Sequence, residues 1–291
     1  MAKASPSTDV ATKTDASTAL ELPAGMSLAG IADDAGEFTQ QFEKGDLATP
    51  FLRVLQSLSP QLQKQKPEFI PGAEQGDFIL TSTSRIIKGD QGVLVVPVHF
   101  EKSHTEWKPN RGGFVADHGP AFDVDRNATW DEGANTFILR NGNELAVGML
   151  YYVYVVDPET GATESAAFIL SGSQMKKGRK WNSVMRSFQL KGPKGYFTPP
   201  SFFLSYLVTT VPESNAQGSW YGVSIKSDKF THQLPDGPDL YDRAKEFYRN
   251  VQSGTIKVQM DASEGATAPA ADEELPDLPD SDGSFGEDRA F

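Results

Sequence analysis

The strongest constraint on the fold is a two-residue alternation in residues 145–156. This is the period of a β-strand that packs one face against a core. The following segment, residues 157–161, contains Asp, Pro and Gly and has the composition of a turn. Residues 163–170 then return as a second strand. The chain must therefore bury at least one β-hairpin, and the side chains that share its first core face are Leu145, Val147, Met149, Tyr151, Val153 and Val155.

Further strands are predicted on both sides of this hairpin. Residues 51–55 form a short apolar segment, residues 77–87 a strand, and residues 93–107 a long strand in which Pro97 indicates an edge or a bulge. Residues 110–143 are rich in Gly and Asp and predict a long loop with one short hairpin near Ile138. Ser173 can cap a helix that runs to about residue 190. Strands at 201–211 and 220–225 and an amphipathic helix at 239–251 complete the pattern.

From residue 93 onward this order is that of an OB-fold, which has five strands and a helix between the third and the fourth. We therefore expect a mainly β protein with an OB-like five-stranded barrel, an added strand at 77–87 and a C-terminal helix. A β-sandwich with the same strand order is the alternative. The barrel domain is expected to span residues 37–260. Residues 1–36 and 261–291 contain few large apolar side chains and are expected to be disordered tails.

The net charge of −12 is unevenly distributed along the chain. Residues 261–291 contain ten acidic side chains and one basic side chain, so the rest of the chain carries only −3. Residues 165–212 contain seven basic side chains and no acidic ones. A basic segment within an acidic chain is typical of polyanion binding, although a solvated helix face would have the same composition.

Aromatic side chains lie close to these cations, and single-stranded nucleic acid binds to cations that follow the phosphates and rings that stack on the bases. Tyr152 and Tyr154 are expected on the strand face opposite the core, and Tyr221 opens the last strand. Trp181 lies on the apolar stripe of its helix and is expected in the core. Tyr196 and Phe197 are noted beside Lys191 and Lys194. The predicted DNA-binding residues are Trp107, Lys108, Arg111, Phe114, Trp130, Tyr152, Tyr154, Lys176, Lys177, Arg179, Lys180, Lys191, Lys194 and Tyr221.

The acidic segment at the end of the sequence finishes on an apolar residue, Phe291. An acidic tail can compete with DNA phosphates for a cationic groove, and a terminal phenylalanine can enter an apolar pocket of a partner. Glu287, Asp288 and Phe291 are therefore predicted to bind a partner protein. The alternative is a tail that only increases solubility.

The basic, aromatic body and the ending Asp288-Arg289-Ala290-Phe291 resemble bacteriophage-type single-stranded DNA-binding proteins. The resemblance implies an OB-fold body that binds single-stranded DNA during replication or recombination. It also implies a tail that recruits replication proteins such as a polymerase or a helicase/primase. Arg289, which interrupts the final acidic run, departs from this plan.

Two other functions are compatible with the sequence. Asp117, His118, Asp123 and Asp125 would supply the ligands of a metal-dependent nuclease, although such residues in a Gly-rich loop are usually turn residues. A virion or scaffolding protein would assemble through a sheet edge and the acidic tail. No cofactor motif is found, so a non-catalytic protein without a cofactor or metal is expected. The absence of cysteine excludes disulfides and thiolate metal sites, and no apolar run approaches the ~20 residues that span a bilayer. A cytoplasmic protein without membrane contact is therefore expected, and a homo-oligomer is left open.

Overall fold

The computed structural model describes residues 50–215 and 218–258, and in this part of the chain the fold is mainly β. This confirms the predicted class. The strands, in chain order, are β1 (Phe51–Val54), β2 (Phe78–Leu80), β3 (Arg85–Ile87), β4 (Val93–Trp107), β5 (Phe114–Asp117), β6 (Ala128–Asp131), β7 (Thr136–Leu139), β8 (Glu144–Val156), β9 (Thr163–Ser171), β10 (Leu190–Gly192), β11 (Gly195–Phe197), β12 (Leu204–Asn215) and β13 (Gly218–Phe230). The tails predicted at 1–36 and 261–291 lie outside the described residues.

Helical segments connect or follow the strands. The α-helices of the described part are α1 (Val124–Asn127), α2 (Met175–Ser187) and α3 (Gly237–Gln252). Helix α2 lies between β9 and β12, where a helix is predicted, and α3 follows the last strand. Short 3₁₀ turns occur at Pro60–Leu62, Pro109–Arg111, Gly172–Gln174, Ser201–Phe203 and Thr231–Gln233.

Eleven of the described strands join in one sheet, in the order β13-β12-β4-β8-β9-β1-β2-β3, with β5, β6 and β7 paired at the side. Strands β10 and β11 form a separate hairpin. The prediction of five strands with one addition is therefore wrong in number. The segment predicted as one strand at 77–87 is a hairpin of β2 and β3, and β5, β10 and β11 were not predicted.

The sheet is curled into a half-barrel, and its two ends contribute to one core. Phe78 of β2 and Val223 of β13 lie at opposite ends of the strand order and belong to the same buried cluster. The side chain of Gln56 spans the two ends: its Nε2 donates to the Tyr221 carbonyl at 2.8 Å, and its Oε1 accepts from the Tyr221 amide at 2.9 Å. The backbone amide of Thr210 also donates to the Gly89 carbonyl at 3.0 Å. These bonds hold the curl.

Both faces of β8 are buried, each beneath a different helix. Tyr151 and its neighbours at every second position belong to the core inside the curl, together with Trp181 of α2. Tyr152 and Leu150 belong to a second core, together with Phe247 of α3. The alternation predicted for this strand is therefore correct, but the face expected to be open is covered.

Local chemistry accounts for the two most regular features of the central strands. The Asp157 carboxylate accepts hydrogen bonds from the amides of Glu159 at 3.0 Å and Thr160 at 2.9 Å, which closes the turn between β8 and β9. The bond from Thr160 is the main cause that lowers the pKa of Asp157 below its usual value. Strand β4 lies inside the sheet and has a register shift between Pro97 and His99, so of the edge or bulge predicted at this proline the bulge is present.

Candidate functional site

Helix α2 is fixed tightly to the inside of the curl. Trp181 is only 2% exposed, and its ring lies 4.5 Å from that of Tyr151 and 5.4 Å from that of Tyr206. The Tyr151 hydroxyl lies 3.0 Å from both the Gly178 carbonyl and Oδ1 of Asn182. The expectation that Trp181 belongs to the core is confirmed. The helix can therefore present the charges of its other face at fixed positions.

The outer face of α2 carries most of the basic segment. Lys176, Arg179 and Lys180 are exposed. Lys177 is half-buried and forms an ion pair with Glu213 at 3.2 Å. Since residues 165–212 contain no acidic side chain, the partner of Lys177 comes from outside this segment, from Glu213 of β12. The predicted phosphate contacts thus share one helix, and Lys177 among them is paired with a carboxylate.

The hairpin of β10 and β11 extends the basic face and adds aromatic rings. Lys191 pairs across the hairpin with Tyr196, and Lys194 lies in the turn. Tyr196 is 71% exposed and Phe197 is 49% exposed. The sequence suggested these rings only as neighbours of the lysines, yet they are among the most exposed large apolar residues of the described chain. The signal in the sequence is their position between the glycine- and proline-containing turn at 192–195 and the prolines at 199 and 200.

A hydrogen bond ties the hairpin to the end of α2. The Thr198 hydroxyl donates to the Arg186 carbonyl at 3.3 Å. Between helix and hairpin, the ring of Phe188 lies 6.3 Å from Phe203 and 6.2 Å from Phe230. We call α2 and the hairpin, residues 175–197, the basic module. Its helix and its hairpin are consecutive in the chain.

A cleft of about 330 Å³ separates α2 from β12 and β13. Its walls carry cations, and its apolar residues include Trp181, Val184 and Ile225. Trp181 Nε1 and the Tyr206 hydroxyl are buried and have no hydrogen-bond partner in the described structure. A buried polar atom without a partner costs about 1–3 kcal/mol. Burial raises the pKa of Tyr206 to about 12, so its hydroxyl keeps its proton at neutral pH. The full lining is Lys177, Lys180, Trp181, Val184, Tyr206, Ser224, Ile225, Lys226 and Ser227.

Of three aromatic residues predicted to stack on bases, two are buried and one is half-buried. Tyr152 is 3% exposed and lies beneath α3, where its hydroxyl donates to Glu101 at 2.9 Å. Burial is the main cause that raises the pKa of this hydroxyl. Tyr154 is half-buried against the ring of Phe247 at 5.2 Å. Trp107 is 4% exposed. The expected exposure of Tyr152 and Trp107 is therefore wrong, whereas Tyr154 is partly covered.

The remaining candidates of the first loop form a local cluster at the end of β4. The Arg111 guanidinium lies 5.9 Å from the Trp107 ring centre and pairs with Glu144 at 3.4 Å. Phe114 packs edge-on against Trp107 at 5.5 Å. Lys108 is exposed beside them. Arg111 is thus engaged in holding the loop, and only Lys108 of this group presents an exposed charge.

The two loop tryptophans lie on opposite sides of the sheet. Trp107 pairs with Glu144, which shares its side of β8 with Tyr152 under α3. Trp130 pairs with Phe137, and Phe137 with Leu145, on the side that α2 covers. Trp130 is partly exposed, with its ring 5.0 Å from Phe137. Trp107 and the basic module therefore do not border one groove.

Tyr221 is half-buried, with its backbone held by Gln56. Its ring lies against Gly76, where an added Cβ would be 2.6 Å from the ring. The neighbouring Trp220 donates its indole N–H to Glu213 at 3.0 Å. Tyr221 thus contributes to closing the curl, and it lies on the strand that forms one wall of the cleft.

The residues required by the nuclease alternative make separate local contacts. Asp117 accepts from the Gly119 amide at 2.9 Å, and Asp123 accepts from the Arg126 amide at 3.2 Å as the cap of α1. His118 Nε2 lies 2.8 Å from Oε2 of Glu106. Asp125 lies within the first turn of α1. Within residues 50–215 and 218–258, no three His, Asp or Glu side chains are grouped so that they could hold a metal ion.

The predicted partner-binding residues Glu287, Asp288 and Phe291 lie outside the described residues. No helix in the described ranges is long and apolar enough to cross a membrane.

Comparison with known proteins gave one result. No curated protein and no solved structure matched the chain. The model of a phage family, the Pam3 phage gp34-like proteins, matches residues 19–257, so the predicted relation to bacteriophage proteins is confirmed at the level of origin. The match includes the whole basic module and ends before the acidic segment. Since it covers most of the 291 residues, the chain belongs to the Pam3 phage gp34-like family.

Proposed function

We propose that this protein binds single-stranded DNA without catalysing a reaction, and that the basic module is its binding surface. The observation that carries the proposal is the module itself: an acid-free segment folds into one helix and one hairpin with exposed cations beside the exposed rings of Tyr196 and Phe197. Cations that follow phosphates and rings that accept any base are the two requirements for binding single strands without sequence preference.

We also propose that the barrel is OB-like. The five long strands, taken in chain order as the first to fifth strands of the barrel, are β4, β8, β9, β12 and β13. The first of them, β4, lies in the sheet between the second, β8, and the fourth, β12. Helix α2 joins the third strand to the fourth, as it does in OB barrels. On the side of β9 that is not paired with β8, the sheet continues with β1, β2 and β3. Strand β1 runs parallel to β9. The eleven-stranded sheet would then be an OB barrel with six additional strands, β1 to β3 beside β9 and β5 to β7 in the connection between β4 and β8.

In this proposal, DNA does not use the outer face of the second strand, which many OB barrels use. Helix α3 occupies that face, and Tyr152 is buried there. The basic module lies on the other side of the sheet, with α2 over the inner core. The strand would therefore follow α2 and the hairpin. Recruitment of replication proteins by the acidic segment and Phe291 stays a prediction from the sequence.

Titration of a labelled oligothymidine at several salt concentrations tests the proposal. We expect log K to fall with log salt by about 0.7 for each phosphate contacted. The double variant Lys191→Ala/Lys194→Ala should bind more weakly and reduce the slope by about 1.4, since two contacts are lost. Tyr196→Ala should lose about 1–3 kcal/mol of binding energy with an unchanged slope, because stacking releases no counterions.

The matched control is Lys245→Ala/Arg249→Ala, which removes two exposed cations from α3 on the other side of the sheet. Its affinity and slope should equal those of the parent protein. An equal loss of DNA affinity in both double variants would show that binding depends on the total charge of the protein and not on the basic module. Tighter binding to duplex DNA, or no binding at low salt, would contradict the proposal. Large assemblies in light scattering without DNA binding would favour the scaffolding alternative.

A further inference from the structure

The cleft between α2 and β13 has cations on both walls. Lys180 extends from α2 and Lys226 from β13, and both line the cleft. Neither forms an ion pair with a described residue, whereas Lys177 is paired with Glu213. Two ammonium groups on facing walls, without a carboxylate between them, suit a phosphate group.

The interior of the cleft has a different chemistry. Its apolar lining consists of Trp181 and Val184 of α2 and of Tyr206 and Ile225 of the strands. Aromatic and aliphatic walls suit a planar, weakly polar group, and the volume of about 330 Å³ is at the lower end of the range of small-molecule sites. A site with a phosphate-binding rim and an apolar interior matches a nucleotide better than it matches a free anion.

Two unpaired polar atoms add a second, independent observation. Trp181 Nε1 and the Tyr206 hydroxyl belong to cleft-lining side chains that are at least nine-tenths buried, and neither has a partner in the described structure. The indole N–H can only donate a hydrogen bond, so its missing partner is an acceptor. Carbonyl oxygens and ring nitrogens of nucleobases are such acceptors.

We propose that this cleft binds one nucleotide of the bound strand, with its phosphate between Lys180 and Lys226 and its base against Trp181 and Tyr206. The inference rests on the proposed function, because the cleft opens beside the basic module and shares α2 with it. It adds a defined subsite to a surface that otherwise binds by charge and stacking. The strand would be anchored at one nucleotide and held loosely along the hairpin.

Tyr206→Phe is the most informative variant. The hydroxyl has no protein partner, so its removal should leave the melting temperature unchanged or raise it. If the hydroxyl binds the base, affinity for thymidine 5′-monophosphate should fall about three- to tenfold. The matched control is Tyr151→Phe, which removes a hydroxyl bonded within the fold. It should lower the melting temperature and leave nucleotide affinity nearly unchanged.

Binding is measured by NMR through the indole N–H signal of Trp181, assigned with Trp181→Phe. Thymidine 5′-monophosphate should shift this signal, whereas thymidine and inorganic phosphate should each bind at least tenfold more weakly. Lys226→Ala should weaken nucleotide binding, and Lys229→Ala, on the same strand outside the cleft lining, should not.

The outcomes separate the subsite from the proposed function. Oligothymidine binding that is unaffected by Tyr206→Phe and Lys226→Ala, with no shift of the Trp181 signal by the mononucleotide, would overturn the subsite and leave the function. Mononucleotide binding without oligonucleotide binding would overturn the function and support the nucleotide site. If inorganic phosphate binds as tightly as thymidine 5′-monophosphate, the base contributes no affinity, and its proposed contact with Trp181 and Tyr206 would be overturned.

Discussion

Glu106 is a buried carboxylate that organises the long connection between β4 and β8. It accepts hydrogen bonds from the side-chain amides of Asn141 and Asn143, and His118 Nε2 lies 2.8 Å away. The bond from Asn143 is the main cause that lowers the pKa of Glu106. Burial acts in the opposite direction, but the bonds from Asn141 and His118 help to outweigh it. A single ionised side chain thus holds both ends of the loop.

Glu106→Gln should destabilise the protein by about 1–3 kcal/mol at neutral pH, because the amide cannot accept all these bonds. The pKa is lower in the folded state, so the charge stabilises the fold above the ordinary value of 4.5. This contribution is lost as the pH falls through the lowered pKa. Denaturant unfolding of both proteins between pH 7 and pH 3 should therefore show a difference that shrinks below about pH 4.5.

Glu159→Gln, which removes the same charge from an exposed side chain in the β8–β9 turn, is the control and should show little difference at any pH. A destabilisation by Glu106→Gln that persists unchanged at pH 3 would mean that shape rather than charge holds the loop.

At the scale of elements, Gly178 shows why α2 can lie so close to the sheet. In the sequence this glycine only weakens a predicted helix. In the structure an added Cβ would lie 2.5 Å from Sδ of Met149 and 3.1 Å from the Tyr151 hydroxyl. Because Gly178 has no side chain, the backbone of α2 can pack directly against Met149 and Tyr151 of β8. The position of α2, and with it that of the basic module, depends on this close contact.

Gly178→Ala should lower stability by about 1 kcal/mol, since crowding of about 1–3 kcal/mol exceeds the gain in helix propensity of about 1 kcal/mol. Thermal unfolding measures the effect, with Ser183→Ala, an exposed change on the same helix, as the control. Ser183→Ala should be neutral or slightly stabilising. An equal rise in melting temperature for both variants would show that α2 moves away from the sheet without cost.

Elements with a strong periodic pattern could be predicted from the sequence. The alternation of residues 145–156, the turn at Asp157 and the bulge at Pro97 depend on neighbouring residues, and each is present. The covering of the second face could not be predicted, because Tyr152 meets Phe247 only after the chain has folded. For the same reason the sequence does not predict that the ring of Tyr196 is exposed and that the ring of Trp107 is buried.

At the scale of the whole molecule, positive and negative charge are separated along the chain. The basic module carries seven cations in an acid-free stretch, and residues 261–291 carry a net charge of −9. The family match covers the first of these and not the second. A polyanion that is tethered to a cationic surface competes with DNA for it, and the competition weakens as salt screens both.

Deletion of residues 261–291 should therefore increase affinity for oligothymidine, most of all at low salt. A full-length variant with its ten acidic side chains replaced by Asn or Gln is the control for chain length, and it should reproduce the increase. Binding titrations at low and high salt provide the measurement. Unchanged affinity after deletion would limit the segment to solubility or partner binding.

The glutamine side chains at the end of the sheet have a consequence for behaviour at high concentration. Besides Gln56 on Tyr221, Oε1 of Gln174 accepts from the Val223 amide at 2.9 Å. A strand at the end of a sheet normally offers these groups to any extended peptide, including a strand of another copy. Here the molecule's own amide groups satisfy them. The backbone groups of Tyr221 and the Val223 amide are therefore not open to a strand of another copy, which disfavours fibril growth from this part of the edge.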